Sequence, residues 1–194
     1  MPRKSLAEER SSQILEAFES CIARYGIEGS TLEKIAEEAQ MKRTIIRHYI
    51  GNREELVGAV SQRLLNRLTE KLADFEAHSE SSQELFIAYL FDNYASHSYI
   101  DVLLVEQFIA AAEQYPDQAD AMVKYMASFT QTLARKLKAI YSNSKESESW
   151  DVAFGVTAIL FNESSLQPLN LGVKYTKASQ VCVSILMQSL VKAK

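Results

Sequence analysis

The chain has 194 residues, 47% of them hydrophobic and 24% charged, with a formal net charge of −4. It is long enough and apolar enough to bury a core without disulfide or metal staples, and its negative balance excludes a uniformly basic nucleic-acid coat. Only 6 glycines and 3 prolines interrupt it, so long helices are expected in place of a strand-rich architecture, that is, an all-α fold.

Ser5 with Glu8 has the S-x-x-E form of a capping box, in which side chains satisfy the free amides of a helix start. Ile14, Phe18, Ile22 and Tyr25 recur at helical spacing, and Gly26 and Gly29 bracket the exit. They predict a first helix over Ser5 to Tyr25, preceded by a basic arm, Arg3 and Lys4. Ser30 with Glu33 repeats the capping pattern ahead of Leu32, Ile35, Ala36 and Ala39, a second helix ending near Ala39. After a break at Gln40 to Lys42, a short basic helix carries Ile45, Ile46, Tyr49 and Ile50. Asn52 with Glu55 is a third capping box. It opens a helix of about six turns marked by Leu56, Val60, Leu64, Leu68, Leu72 and Phe75.

The Ser and Glu of His78 to Ser82 predict a linker. Leu85 to His97 and Ile100 to Tyr115 are apolar on nearly every face, as buried helices are. Pro116 separates them from Asp117 to Tyr141, a helix whose stripe of Met122, Tyr125, Met126, Phe129, Leu133, Leu137 and Ile140 faces a core. Ser142 to Ser149 reads as a second polar linker. Trp150 to Leu166 and Lys177 to Leu190 form a last helical pair around Pro168, Asn170 and Gly172, apolar on more than one side as helices covered by a partner are.

Charge is unevenly spread, with 9 Lys+Arg against 8 Asp+Glu over residues 1–53 and 12 against 17 over residues 54–194. The two parts are expected to meet different partners. Cys21 and Cys182 lie far apart on apolar faces and are expected as buried, reduced thiols. The N-terminus turns charged where the core of a leader would begin, and no apolar run reaches bilayer length. A cytoplasmic protein without membrane contact is expected.

Phosphate-binding glycine loops, the G-x-S-x-G elbow and the H-E-x-x-H zinc motif are all missing. His48, His78 and His97 fall on different elements with no second ligand at metal spacing. The expectation is therefore neither an enzyme nor a protein with a metal or cofactor. What remains is Lys42 to Arg53, a basic run without one acidic residue, placed between a capped helix and a capped helix start. Two short helices in that order have the outline of a helix-turn-helix, whose second helix reads the major groove of duplex DNA. Lys42, Arg43, Thr44, Arg47 and His48 occupy the face left over once Ile45, Ile46 and Tyr49 turn inward.

Those residues carry a resemblance. Thr31 to Leu56 is similar to the N-terminal helix-turn-helix of the TetR family of transcriptional regulators, with Thr31, Ile35, Ala36, Ala39, Ile46, Tyr49, Glu54, Glu55 and Leu56 in the corresponding places. Gln40 stands where that family usually has a turn glycine, and Lys42 where a Ser or Thr caps the recognition helix. Thr44 stands for a frequent glycine, Arg47 for a phosphate-contacting Tyr and Ile50 for Phe. The resemblance implies a helix-turn-helix domain over 1–52 and a ligand-binding and dimerisation domain over 53–194, with 53–77 as the connecting helix. It assigns Thr31, Arg47, His48 and Arg53 to phosphates and Lys42, Arg43, Thr44 and Ile45 to base edges or groove walls.

It further implies a homodimer on a palindromic operator, joined through Val152, Val156, Ile159, Leu160, Val183, Leu186, Met187 and Leu190. A small apolar or aromatic effector would sit among Tyr89, Tyr94, Glu106, Phe108, Met122, Tyr125, Met126, Phe129, Phe161 and Asn162. The function so implied is a ligand-responsive repressor released from DNA by its effector. The alternative is a helical ligand-binding or interaction protein that kept the fold and lost sequence-specific binding, as the missing cap and turn glycine would suggest.

Overall fold

A computed structural model describes residues 6–78, 82–95 and 98–191, with the backbone alone for 93–95. The regular structure among the described residues is helical: α1 (Leu6–Gly29), α2 (Leu32–Glu38), α3 (Arg43–Tyr49), α4 (Arg53–Ala77), α5 (Gln83–Ala95), α6 (Tyr99–Ala110), α7 (Pro116–Ile140), α8 (Glu146–Ser165), a 3-10 turn at Gln167–Leu169, and α9 (Val173–Ser189). The expected all-α fold is what forms. No helix among the described residues is long and apolar enough to cross a membrane.

Two compact units share the chain, one taking in residues up to Leu68 together with Tyr99–Met122, the other Thr69–Ser98 and everything from Val123 onward. The boundaries fall inside α4 and α7. This division differs from a split at residue 52, because the first part of α4 and the whole of α6 are built into the same unit as α1.

In the first unit, α1 packs against α2, α3 and α6. Ile14, Phe18 and Ile22 of α1, Ile35 of α2, Ile46 of α3, Leu56, Val60 and Leu64 of α4, and Leu104 and Phe108 of α6 are all buried. The α1 backbone breaks helical geometry at Gly26, with φ 72°. The expected end near Tyr25 therefore marks a kink, and a further turn continues to Gly29. A charged seam runs beside this core. Arg67 donates from Nε and Nη2 to Asp101 Oδ1 at 2.9 and 2.6 Å and from Nη1 to Glu19 Oε1 at 2.9 Å. Both carboxylates are buried. Burial alone would lower the Arg67 pKa, yet the hydrogen bonds and charges of Glu19 and Asp101 hold it above the ordinary value. A buried carboxylate needs such a partner to stay ionised.

The second unit encloses a larger apolar cluster, from Phe75 through Phe86, Leu90, Phe129, Leu133, Leu137, Val152, Val156 and Leu160 to Val183, Met187 and Leu190. The exposed carbonyls at the end of α4 are closed by Lys136, whose ammonium donates to Glu76 O at 3.0 Å and to His78 O. Arg135 pairs with the Glu76 carboxylate at 2.7 Å. Cationic groups at a helix C-terminus satisfy its unpaired carbonyls.

Several expectations shift. The second helix is capped by Thr31, whose Oγ1 accepts from Lys34 N at 3.4 Å, while Ser30 is buried and donates its hydroxyl to Gly26 O at 2.7 Å. α6 stops at Ala110 instead of reaching Tyr115. α8 starts at Glu146, inside the expected linker, because Glu148 turns back to accept from Lys145 N at 2.7 Å. Cys21 is buried as expected, but Cys182 is exposed on α9. The box at Ser5, the arm of Arg3 and Lys4, and His97 lie outside the described residues.

Candidate nucleic-acid interface

The turn between α2 and α3 is drawn tight by Gln40 N to Glu37 O (3.1 Å) and Met41 N to Ala36 O (2.9 Å). It requires a left-handed residue, which is Gln40 with φ 52°. Non-glycine residues adopt that region at a cost of about 1 kcal/mol. Lys42 then sits at the start of α3 in extended conformation with no side-chain cap, as the sequence leads one to expect. α3 hangs from one anchor, the fully buried Ile46. Lys42, Arg43, Thr44, Ile45, Arg47 and His48 are all exposed around it, Ile45 included at 36%. Tyr49 is half-buried, with the His48 ring edge-on to it at 5.0 Å.

The far end of α3 is fixed by Gly51 and the capping box that follows. Gly51 has φ 101°, a conformation that favours glycine, and a Cβ there would stand 1.9 Å from Glu55 Oε2 and push that carboxylate aside. Asn52 N donates to Glu55 Oε2 at 2.7 Å and Glu55 N to Asn52 Oδ1 at 3.0 Å. Both halves of the expected box are made.

Arg53 departs from its expected role at a phosphate. Its Nη1 donates to Ser30 O at 2.9 Å and its Nη2 to Ile27 O at 2.5 Å, with Glu28 Oε1 at 3.4 Å. The guanidinium is spent on carbonyls of the α1–α2 connection, where it clasps α4 to the start of α2. Glu28 is held in turn by the Tyr115 hydroxyl at 2.9 Å, which with Gln114 and Arg53 keeps its carboxyl below the usual range. No local pattern separates Arg53 from Arg47 in sequence, because its partners lie more than twenty residues away.

A carboxylate also stands beside the basic face. Glu33 Oε1 of α2 pairs with Arg43 Nη1 at 2.6 Å, both side chains about half exposed. The sequence run is free of acids, but its surroundings in space are not. Thr31, the remaining expected phosphate contact, is exposed at the cap of α2.

Two short crossed helices, the second exposing basic and polar side chains from a single buried anchor, make a helix-turn-helix. Residues 14–60 match the family model described as bacterial regulatory proteins, tetR family. The chain is 30% identical over 77 residues to the HTH-type transcriptional regulator BetI of Stenotrophomonas maltophilia, covering 40% of this chain and 39% of BetI. With PksA of Bacillus subtilis it shares 31% over 74 residues, 38% of this chain and 36% of that one. These matches thus span well under half of either relative. Across 94% of its length the fold superposes on 96% of a transcriptional regulator from Rhodococcus sp. Rha1, with a TM-score of 0.70 and 15% identity. Over residues 14–60 the chain is thus similar to bacterial regulatory proteins of the tetR family, and its fold over most of its length is like that of a solved transcriptional regulator.

The other expected site residues are more scattered. In the second unit, Tyr89 and Phe129 stack on Phe75 with centroids 6.0 and 5.5 Å apart, Tyr125 and Phe161 are half-buried, and Met126 and Asn162 are exposed. Glu106, Phe108 and Met122 belong to the first unit, Phe108 and Met122 as buried core. The Tyr94 side chain lies outside the described residues. Among the described residues no cluster of His, Cys, Asp or Glu could hold a metal.

The expected dimer residues need correcting. Val152, Val156, Leu160, Val183, Met187 and Leu190 are buried in the chain's own core, and Ile159 and Leu186 pack against it. α8 and α9 do carry apolar residues outward, but on the opposite sides: Trp150, Phe154, Val181 and Ile185 are 40, 64, 58 and 61% exposed.

Proposed function

We propose that this protein is a dimeric, sequence-specific DNA-binding repressor that a small apolar or aromatic effector releases from its operator. The observation that carries the reading is α3, which buries Ile46 and presents Lys42, Arg43, Thr44, Ile45, Arg47 and His48 to solvent between two fixed ends. Arg47 and His48 meet phosphates there with Thr31, which gives salt-dependent affinity; Lys42, Arg43, Thr44 and Ile45 meet base edges, which gives discrimination. Dimerisation is supported by the outward apolar residues Phe154, Val181 and Ile185 on α8 and α9. A two-fold pair would carry two copies of α3 to half-sites one or more turns of DNA apart. The effector would use the aromatic side chains of α5, α7 and α8, among them Tyr89, Tyr125 and Phe161.

Selection from a pool of random duplexes tests this reading. Enrichment of a palindrome with fixed half-site spacing is the expected result. Salt-sensitive binding with no enriched sequence would overturn it in favour of a helical ligand-binding or interaction protein, the reading to which the uncapped α3 and the strained Gln40 give some weight. Release of the selected palindrome by apolar aromatic compounds, read as loss of the shifted band, tests the effector.

A further inference from the structure

Glu33 is the one acidic side chain paired with α3 among the described residues. Its carboxylate lies 2.6 Å from Arg43 Nη1, and its pKa is held below the usual carboxylate range by its own backbone N–H and the Thr31 hydroxyl, with the charges of Arg43 and Arg47 adding to this. Exposed ion pairs of this kind contribute little to folding. A negative charge beside a DNA-facing helix also repels phosphates and weakens binding to every duplex. What the pair does supply is geometry. With Nη1 engaged, Arg43 keeps the parallel Nε and Nη2 donors of its side edge, and no second partner holds them among the described residues. Two parallel donors match N7 and O6 of a guanine in the major groove.

We propose that Glu33 is a positioning residue for base recognition, holding Arg43 by Nη1 so that its remaining edge reads a guanine. The proposal rests on Arg43 as a base reader and deepens that reading by naming what orients it and which base it takes. Its specificity comes with a cost in general affinity, a trade that selective binders make.

The test repeats the duplex selection with Arg43→Ala, Glu33→Ala and the double variant, alongside binding to one random duplex and thermal melting. Both single variants should flatten the same guanine position, discrimination there falling ~5- to 100-fold for Arg43→Ala and by a large part of that for Glu33→Ala. The double variant should add nothing further. Random-duplex binding by Glu33→Ala should hold or tighten, with melting unchanged, which a merely structural role would not produce. Glu33→Gln, isosteric and uncharged, should give the same pattern at smaller amplitude. A wild-type motif in Glu33→Ala, with one position flattened in Arg43→Ala, overturns the proposal and leaves Arg43 as the reader. A motif sharpened in Glu33→Ala also overturns it, making Glu33 a competitor of DNA. A wild-type motif in Arg43→Ala removes the base-reading role itself, and the proposal with it.

Discussion

The helix-turn-helix and the second unit are held by different forces. α2 and α3 are seven residues each and bury Ile35, Ala36 and Ile46, so their placement depends on polar clasps: Thr31 at the start of α2, the Asn52–Glu55 box, and Arg53 on the carbonyls of Ile27 and Ser30. The second unit is held by a continuous apolar cluster from Phe75 to Leu190. Short helices leave a large share of their backbone groups unpaired at the ends, so caps weigh more in them than in long ones. A recognition helix must also keep most of its surface free for DNA, which rules out deep burial on more than one side.

Truncations separate the two regimes. Phe75→Ala removes a fully buried ring and should cost about 3–5 kcal/mol, read by denaturant unfolding. Arg53→Ala leaves the carbonyls of Ile27 and Ser30 without their charged donor, and should cost about 1.5–3 kcal/mol. An Arg53→Ala protein of wild-type stability would mean that the clasp is not what fixes α2 against α4. Arg47→Ala, on an exposed side chain, should change stability by less than ~0.5 kcal/mol while weakening binding to all duplexes. Ile185→Glu should likewise leave the fold intact but yield a monomer by light scattering at micromolar concentration; an unchanged dimer would place the interface elsewhere. At the turn the expected change has the opposite sign. Gln40→Gly relieves the φ of 52°, should stabilise by about 0.5–1 kcal/mol, and should raise the melting temperature by ~1–4 °C.

The same contrast explains what could be read in the sequence. Asn52 and Glu55 are three residues apart and satisfy each other's amides, so a local pattern was enough. Ser30 and Thr31 are both capable caps, but Ser30 gives its hydroxyl to Gly26 O, which leaves the cap to Thr31. Arg53 and Arg47 belong to one basic run and differ only in partners supplied by distant chain. Glu33 was visible as a capping residue, while its pairing with Arg43 appears only when α2 and α3 cross. On α8 and α9 apolar residues occupy more than one side, so periodicity could not say which side is inward. Val156 and Met187 turned to the core and Phe154 and Ile185 to solvent. The α8 start at Glu146 was hidden because Ser142 to Ser149 has linker composition, although Glu148 can cap a helix there.

We assign the DNA contact to α3, through Arg47 and its neighbours, and a structural clasp to Arg53. The salt dependence of duplex binding tests it most directly, since removing one cation from a DNA phosphate lowers the slope of log affinity against log salt by ~0.9. Arg47→Ala should reduce the wild-type slope by about that amount, and Arg53→Gln should leave it unchanged while lowering stability. A slope untouched by Arg47→Ala and reduced by Arg53→Gln would contradict the assignment.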